Sequence, residues 1–188
     1  MTSQALYLAG LALLGLERLV ELARSRRNAR RAFARGGVEV GRRHFRAMAA
    51  MHAAFLASCA AEVMLAGRRF PGALGWAALA GVLAGQALRW WAVHSLKDRW
   101  NVRIVVVPGD EPVVSGPYRF VRHPNYVAVV LEIALVPLVH GAWMTALAFS
   151  LANGALLAVR IRAEERALGS LYAARFGAVP RFVPGRRG

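Results

Sequence analysis

The chain has 188 residues, of which 57% are hydrophobic, and its mean hydropathy of +0.38 is too high for an ordinary soluble domain. Its 25 Lys and Arg outnumber its 10 Asp and Glu, which gives a formal net charge of +15. The single cysteine, Cys59, excludes a disulfide or a cysteine-based metal site within one chain, and we expect no metal. These values predict a membrane protein with one domain, residues 1–188.

Five apolar stretches in chain order predict an all-α integral membrane fold with about five transmembrane helices. They lie at about 4–22, 47–66, 73–95, 125–140 and 143–162. The first two and the basic segment between them form an N-terminal part, residues 1–70. The last two are separated only by His140-Gly141-Ala142, which predicts a C-terminal helical hairpin followed by a cytoplasmic tail.

The basic residues alternate between the predicted loops. Residues 24–46 hold nine Arg, the next loop two, the third loop five Lys and Arg, the fourth turn none, and the chain from Arg160 onward seven. This alternation predicts an outer N-terminus and a cytoplasmic C-terminus. Arg in place of Lys, with abundant Ala and Gly, indicates a GC-rich bacterial genome, and the expected location is the bacterial inner membrane. The basic segment is expected to contact anionic lipids, whereas its aromatic residues are not interleaved with the arginines in the way that a stacking surface for nucleic acid requires.

The stretch WNVRIVVVPGDEPVVSGPY, residues 100–118, has two β-branched runs around a Pro-Gly-Asp-Glu-Pro turn. It predicts a short hairpin or an extended loop at the cytoplasmic surface. Trp100 and Asn101 lie at its start, where a substrate ring could stack and one of its oxygens could accept a hydrogen bond. We therefore treat both as candidate catalytic residues.

Several ionisable side chains fall inside the apolar stretches, where they are costly and need a partner or a function. Glu132 lies deep in the fourth stretch, and Arg89 is its candidate partner. Structural pairing is at least as good an explanation as chemistry for His52 and Glu62. The remaining ones, near the end of the first stretch, are expected to pair within their helix: Glu17, Arg18 and Glu21.

The sequence GPYRFVRHPNY, residues 116–126, combines a flexible turn with aromatic rings. Gly116 and Pro117 would let the backbone approach a ligand closely. Tyr118 and Tyr126 offer flat faces for an adenine ring or a sulfonium. This pattern is typical of a loop that binds a small molecule.

Pro124 is expected to begin the fourth helix, because a missing N–H costs nothing in the first turn. Arg122 and His123 then lie just before a helix N-terminus, which favours an anion. The two helices of the hairpin return to the same face, so Glu164 and Glu165 are predicted to meet this cluster. Without further information a charged, exposed helix would explain the glutamates equally well.

The patterns GxYxxxRHPxY at 116–126, EExxL at 164–168, GxxY at 169–172 and VPR at 179–181 resemble the isoprenylcysteine carboxyl methyltransferase family of integral membrane enzymes. The resemblance covers a catalytic core of about residues 90–184. The stretches ERLVELARSRRNARRAFARGGVEVGRRHF and RWNVRIVVVPGDEPVVSGPY also resemble the bacterial branch associated with type III polyketide synthases. That branch implies O-methylation of long-chain alkylpyrones and alkylresorcinols.

The resemblance implies S-adenosylmethionine as the methyl donor, bound between the membrane helices and the cytoplasmic tail, and a lipidic acceptor that enters from the bilayer. Arg160 and Arg122 would orient the acceptor oxygen. His123 is a candidate base, because a phenol with a pKa of about 10 must lose its proton. The implied cofactor-binding residues are Gly116, Pro117, Tyr118, His123, Pro124, Tyr126, Glu164 and Glu165.

Two departures from the family pattern bear on the pocket. Ala128 replaces a glycine found in many relatives and is expected to narrow it, and Phe176 lies where relatives often carry a tyrosine. Other acceptors stay open, namely an isoprenylcysteine carboxylate or a phospholipid. Two further readings also stay open: an NADPH-dependent membrane sterol or steroid reductase, and a membrane protein with no enzymatic activity. A type III polyketide synthase is a candidate partner.

Overall fold

The computed structural model describes residues 2–184 as a bundle of five long helices with one small sheet. The helices are α1 Ser3–Ala34, α2 Arg42–Leu65, α3 Ala73–Leu96, α4 Pro124–Leu138 and α5 Trp143–Phe176. The strands are β1 Val38–Val40 and β2 Ile104–Val106, and short 3-10 turns occupy Lys97–Arg99 and Gly116–Arg119. The helical class predicted from the sequence is confirmed for the described residues.

The predicted basic loop over 24–46 is wrong in its extent, because α1 continues through nearly half of it to Ala34. Arg and Ala are strong helix formers, so the helix does not end where the apolar stretch ends. Ser25 and Asn28 are buried on this extension and face the segment after α3. The extension therefore forms one wall of the region where the functional motifs meet.

Of the two alternatives predicted for residues 100–118, the hairpin is wrong, because β2 does not pair with the second β-branched run, and an extended loop describes that run better. The β2 strand pairs antiparallel with β1, with Val38 opposite Val106 and Val40 opposite Ile104. Pro112 lacks an N–H donor and precedes the second run, which forms no strand. The sheet therefore ties the loop after α3 to the connection between α1 and α2.

The α4–α5 hairpin forms as predicted. Pro124 occupies the first turn of α4, and a short turn with Gly141 at φ +73° leads into α5. A Cβ on Gly85 of α3 would lie 3.2 Å from Leu131 Cβ of α4, so a glycine allows the two helices to pack closely. Within α5, Gly169 has non-helical angles and marks a kink between the apolar part and the C-terminal part.

Of the described helices, α2 and α5 are long and apolar enough to cross a membrane by length and composition, and α4 is a shorter apolar helix. The prediction of five spanning helices is therefore supported for two of them by this criterion. Large apolar side chains such as Leu13, Leu19, Trp76 and Leu83 are exposed on α1 and α3. Exposed apolar surface of this kind suits a lipid environment.

Glu62 has the structural role expected of it. Its carboxylate accepts from the backbone N–H and the hydroxyl of Thr145, both at 2.7 Å, in the first turn of α5. It also pairs with Arg68 at 2.9 Å. The side chain thus satisfies donors that the start of α5 would otherwise leave free, and it joins α2 to the hairpin.

Candidate functional site

A cavity of about 910 Å³ lies between α1, α2, the segment after α3, the start of α4 and the C-terminal part of α5. One end, here called the motif end, is lined by residues of the predicted motifs: Tyr118, His123, Tyr126, Glu164 and Tyr172. The other, here called the apolar end, is lined by small and apolar side chains of α1 and α2, namely Gly15, Leu19, Ala53 and Leu56, and by three charged side chains, Arg18, Glu21 and Arg89. The cavity therefore joins the motif end to a pocket with apolar walls and a charged cluster.

Tyr126 and Arg160 are joined by a hydrogen bond in the cavity wall. The Nε of Arg160 donates to the Tyr126 hydroxyl at 2.8 Å, and its Nη2 donates to the Val102 carbonyl at 2.6 Å. The Tyr126 hydroxyl in turn donates to Glu164. Arg160 and Glu164 lie four residues apart on one face of α5, which explains why both reach the same tyrosine. Arg160 is 5% exposed, so this guanidinium is a fixed cation at the cavity.

A second group of contacts surrounds His123. Its Nε2 lies 3.0 Å from Glu165 Oε1, and Arg181 donates from Nε and Nη2 to the same carboxylate at 3.0 and 2.7 Å. The Glu165 charge raises the pKa of Arg181, so the pair is ionised. An ionised carboxylate only accepts, and we infer that His123 Nε2 carries a hydrogen and donates it to Glu165.

Arg122 binds the segment after α5. Its Nε donates to the Val179 carbonyl at 2.5 Å and its Nη2 to the Gly177 carbonyl at 3.2 Å. The backbone N–H groups of Arg122 and His123 donate to Pro180 and Arg181 at 2.9 and 3.2 Å. The structure thus uses this guanidinium to hold the tail beside the cavity. Its contact with an acceptor oxygen stays a prediction.

The backbone at Gly116 lies close to α3 and not to the cavity. It has φ +60°, and a Cβ there would lie 2.1 Å from Ser95 Oγ of α3. Pro117 and Pro124 are fully buried and lie outside the cavity lining, as does Glu165. Packing therefore explains Gly116 and the two prolines, and their contact with a cofactor stays a prediction.

Tyr118, by contrast, reaches the cavity. Burial and the nearby charge of Glu164 both raise the pKa of its hydroxyl, so Tyr118 stays neutral. A neutral tyrosine presents a flat ring to a ligand and keeps its hydroxyl as a donor. The contact of Tyr118 with a cofactor stays a prediction.

Trp100 and Asn101 both line the cavity, and both hold the segment after α3 on α1. The Trp100 carbonyl accepts from Asn28 at 2.7 Å, and its ring lies beneath the Arg24 guanidinium. Asn101 Oδ1 accepts from the Ser25 hydroxyl at 2.6 Å. The amide of Asn101 is thus engaged in structure, and its hydrogen bond to an acceptor stays a prediction.

Two cavity residues were not predicted as site residues. The Tyr172 hydroxyl and Asn125 Oδ1 are buried without a hydrogen-bond partner among the described residues, and both side chains line the cavity. Tyr172 was part of the quoted GxxY pattern, which could have identified it. The rings of Phe176 and Tyr172 pack with their centroids 4.6 Å apart. Tyr172, one helical turn before Phe176, therefore supplies a hydroxyl in the place where Phe176 has none. Ala128 lies outside the cavity lining, so the expected narrowing is wrong.

Comparison with known proteins identifies the family. The model of the isoprenylcysteine carboxyl methyltransferase (ICMT) family matches residues 76–170, slightly more than half of the chain. The chain belongs to the isoprenylcysteine carboxyl methyltransferase family. The matched range runs from α3 into α5 and includes the Tyr126, Arg160 and Glu164 positions. The ICMT family is one of membrane methyltransferases, which supports the membrane and methyltransferase expectations.

Two relatives are similar over most of their length. "Uncharacterized protein YpbQ" of Bacillus subtilis (strain 168) is 42% identical over 158 residues, which cover 84% of this chain and 94% of the relative. An "Uncharacterized protein" of Haemophilus influenzae is 28% identical over 156 residues, which cover 82% and 90%. These names carry no activity, so the ICMT family alone informs the chemistry, and the polyketide-associated branch belongs with the proposals.

Proposed function

We propose that this protein is an S-adenosylmethionine-dependent O-methyltransferase that acts in the membrane on a long-chain alkylpyrone or alkylresorcinol. The observation that carries the proposal is the single cavity that joins the motif end to the apolar end. A methyltransferase of this kind needs a polar site for its donor next to an apolar site for a lipidic acceptor. The cavity provides both.

The residues of the motif end suit S-adenosylmethionine. The free Tyr172 hydroxyl and Asn125 Oδ1 are a donor and an acceptor that need a ligand group. Tyr118 and Tyr126 present rings to the cavity, and aromatic faces attract cations such as a sulfonium. The Glu164 carboxylate adds a complementary negative charge. When bound, S-adenosylmethionine supplies a methyl group on a positively charged sulfur.

Arg160 is the residue that we place beside the reacting oxygen. Its two hydrogen bonds, to Tyr126 and to the Val102 carbonyl, hold the guanidinium in one position at the cavity. A fixed cation there stabilises an oxygen that carries negative charge and aligns it for in-line attack. Glu165 and Arg181 act indirectly, because they hold His123 and the tail in place.

The apolar end suits the tail of the acceptor. Gly15, Leu19, Ala53 and Leu56 give it small and apolar walls on two neighbouring helices. A type III polyketide synthase would supply an acceptor with a ring and a long alkyl chain. Isoprenylcysteine carboxylates and phospholipids are acceptors of the same reaction class. The proposed orientation, with the C-terminus in the cytoplasm, places the motif end where S-adenosylmethionine is available.

The test is transfer of a labelled methyl group from S-adenosylmethionine by the protein in liposomes. The probes are 5-pentadecylresorcinol, a 4-hydroxy-6-alkyl-2-pyrone and N-acetyl-S-farnesylcysteine. Labelled product from the resorcinol or the pyrone supports the proposal. Label only in the farnesylcysteine would replace the proposed acceptor, and no labelled product with any probe, from protein that is folded, would contradict it.

A further inference from the structure

The apolar end of the cavity contains a charged cluster that the site described so far does not use. Arg89 donates from Nε and Nη2 to Glu21 at 2.8 and 2.7 Å, and Arg18 pairs with Glu21 at 2.9 Å. Glu132 lies 3.7 Å from Arg18 and 3.9 Å from Arg89. Arg18, Glu21 and Arg89 line the cavity. Buried charges of this kind in a membrane helix bundle indicate a functional site.

His52 of α2 lines the cavity beside this cluster. Its Nδ1 lies 2.9 Å from the Met48 carbonyl oxygen. A carbonyl oxygen only accepts, so we infer that Nδ1 carries the hydrogen and donates it. The Nε2 atom of a neutral His52 then has a free lone pair. The structure thus holds an oriented imidazole with its basic nitrogen available.

The position of His52 brings it close to the proposed reaction site. Met48 packs against the cluster of Tyr126, Leu157 and Ile161. His52 follows Met48 by one helical turn, which is about 6 Å along the axis. Tyr126 is the residue that binds Arg160. Along α2, His52 therefore lies between Met48, beside the Tyr126 cluster, and Leu56 of the apolar end, which is the direction in which we place the acceptor.

Charged groups from three other helices face His52. They are Glu132 of α4, Arg89 of α3 and Arg18 of α1. Both guanidiniums are themselves paired with Glu21, so this side of the cavity holds a network of ion pairs next to the imidazole.

The other carboxylates and histidine near the reaction site have partners that limit them as bases. Glu164 accepts the Tyr126 hydroxyl hydrogen, and Glu165 accepts from Arg181. His123 stacks on the Tyr126 ring and lies near the Tyr172 and Phe182 rings, at the motif end where we place the donor. His52 is at the end from which the acceptor arrives.

We propose that His52 is the catalytic base of the reaction for acceptors whose hydroxyl is un-ionised, an inference that rests on the proposed function. The acceptor O–H bond breaks and its proton goes to Nε2 of His52. The oxygen electron pair forms the new bond to the methyl carbon, and the carbon–sulfur bond breaks with its electron pair left on sulfur. The products are a methyl ether, S-adenosylhomocysteine and an imidazolium that returns its proton to water.

The proposal makes the need for His52 depend on the acidity of the acceptor. An alkylresorcinol is a phenol and is almost fully protonated at pH 7, because a phenol has a pKa of about 10. The 4-hydroxy group of a 2-pyrone is a vinylogous acid and is ionised at neutral pH. The two probes have similar size and the same kind of tail, so they differ mainly in whether a base is needed.

The experiment compares His52→Asn with wild type on both probes at pH 7, with S-adenosylhomocysteine affinity measured on the same preparations. We expect kcat on the resorcinol to fall at least about 100-fold, the lower range for loss of a general base. We expect kcat on the pyrone to change less than about 3-fold, since no base step remains to be lost. Cofactor affinity should be unchanged.

His140→Asn is the matched control. His140 is a buried histidine of the helix bundle, whereas His52 is partly buried; the Nε2 of His140 lies 3.3 Å from Ser3 Oγ, and the residue is outside the cavity lining. This variant should keep the wild-type ratio of resorcinol to pyrone turnover. If His52→Asn does not fold, His52→Gln is used, because its amide can donate to Met48 while lacking a basic nitrogen.

The outcomes separate this inference from the proposed function. Loss of resorcinol turnover with retained pyrone turnover supports His52 as the base. If the His52 variant turns over each probe as fast as wild type does, His52 is not the base, and the methyltransferase assignment stands. An equal loss on both probes also overturns the base, because it indicates a structural role for His52. A wild-type protein that methylates neither probe contradicts the proposed function and this inference with it.

Discussion

Glu165→Ala tests whether the contacts around His123 hold the cofactor site together. Glu165 accepts from His123 at 3.0 Å and from Arg181 at 3.0 and 2.7 Å. It lies outside the cavity lining, so it acts on a ligand through these two partners. The variant removes the carboxylate that accepts these hydrogen bonds. The His123 imidazole and the Arg181 guanidinium then lose their shared partner.

The size of the effect follows from burial. His123 is 5% exposed, and a buried donor left without a partner costs about 1–3 kcal/mol. The Arg181 side chain is 54% exposed, so its ion pair adds less than about 1 kcal/mol. If ligand binding must restore the positions of His123 and the tail, a cost of about 2 kcal/mol weakens the affinity for S-adenosylhomocysteine about 30-fold.

The assay is calorimetric titration of the detergent-purified variant with S-adenosylhomocysteine. Arg166→Ala is the matched control, because Arg166 is exposed on the same turn of α5 and donates to the Arg162 carbonyl. It should bind as wild type does. Arg181→Ala removes only the exposed ion pair with Glu165 and should weaken S-adenosylhomocysteine binding less than about 5-fold. A folded Glu165→Ala protein with wild-type affinity would remove Glu165 from the site.

Three further variants test other parts of the account. Arg160→Ala should lower kcat about 100-fold or more while S-adenosylhomocysteine affinity changes little, and normal turnover would end its proposed role. Glu62→Gln should lower the free energy of unfolding by about 1–3 kcal/mol, because the carboxylate binds donors at the start of α5; thermal unfolding at an unchanged Tm would contradict this. Cys59→Ser should keep full turnover, since Cys59 is a fully buried core residue; a folded but inactive variant would overturn that reading.

Local sequence signals predicted the elements that depend on local chemistry. Pro124 has a defined preference for the first turn of a helix, and α4 begins there. The three-residue separation of the last two stretches forced a hairpin, which brings His123 and Glu165 together. The meeting of the two motif clusters followed from this geometry alone.

The features that were missed depend on contacts between distant parts of the chain. The pairing of Val38 with Val106 joins segments that no local pattern connects. The amide of Asn101 and the guanidinium of Arg122 have the chemistry of a binding site, and the fold uses them to hold neighbouring segments. The sequence left structural pairing and chemistry both open for His52, because only the packed bundle shows that it lines the same cavity as Arg160.

The most direct test of the central claim is a pair of calorimetric titrations of the wild-type protein, one with S-adenosylhomocysteine and one with NADPH. The account predicts saturable binding of S-adenosylhomocysteine and no binding of NADPH. Binding of NADPH alone would make the protein a reductase. Binding of neither ligand by folded protein would contradict a cofactor site at the motif end.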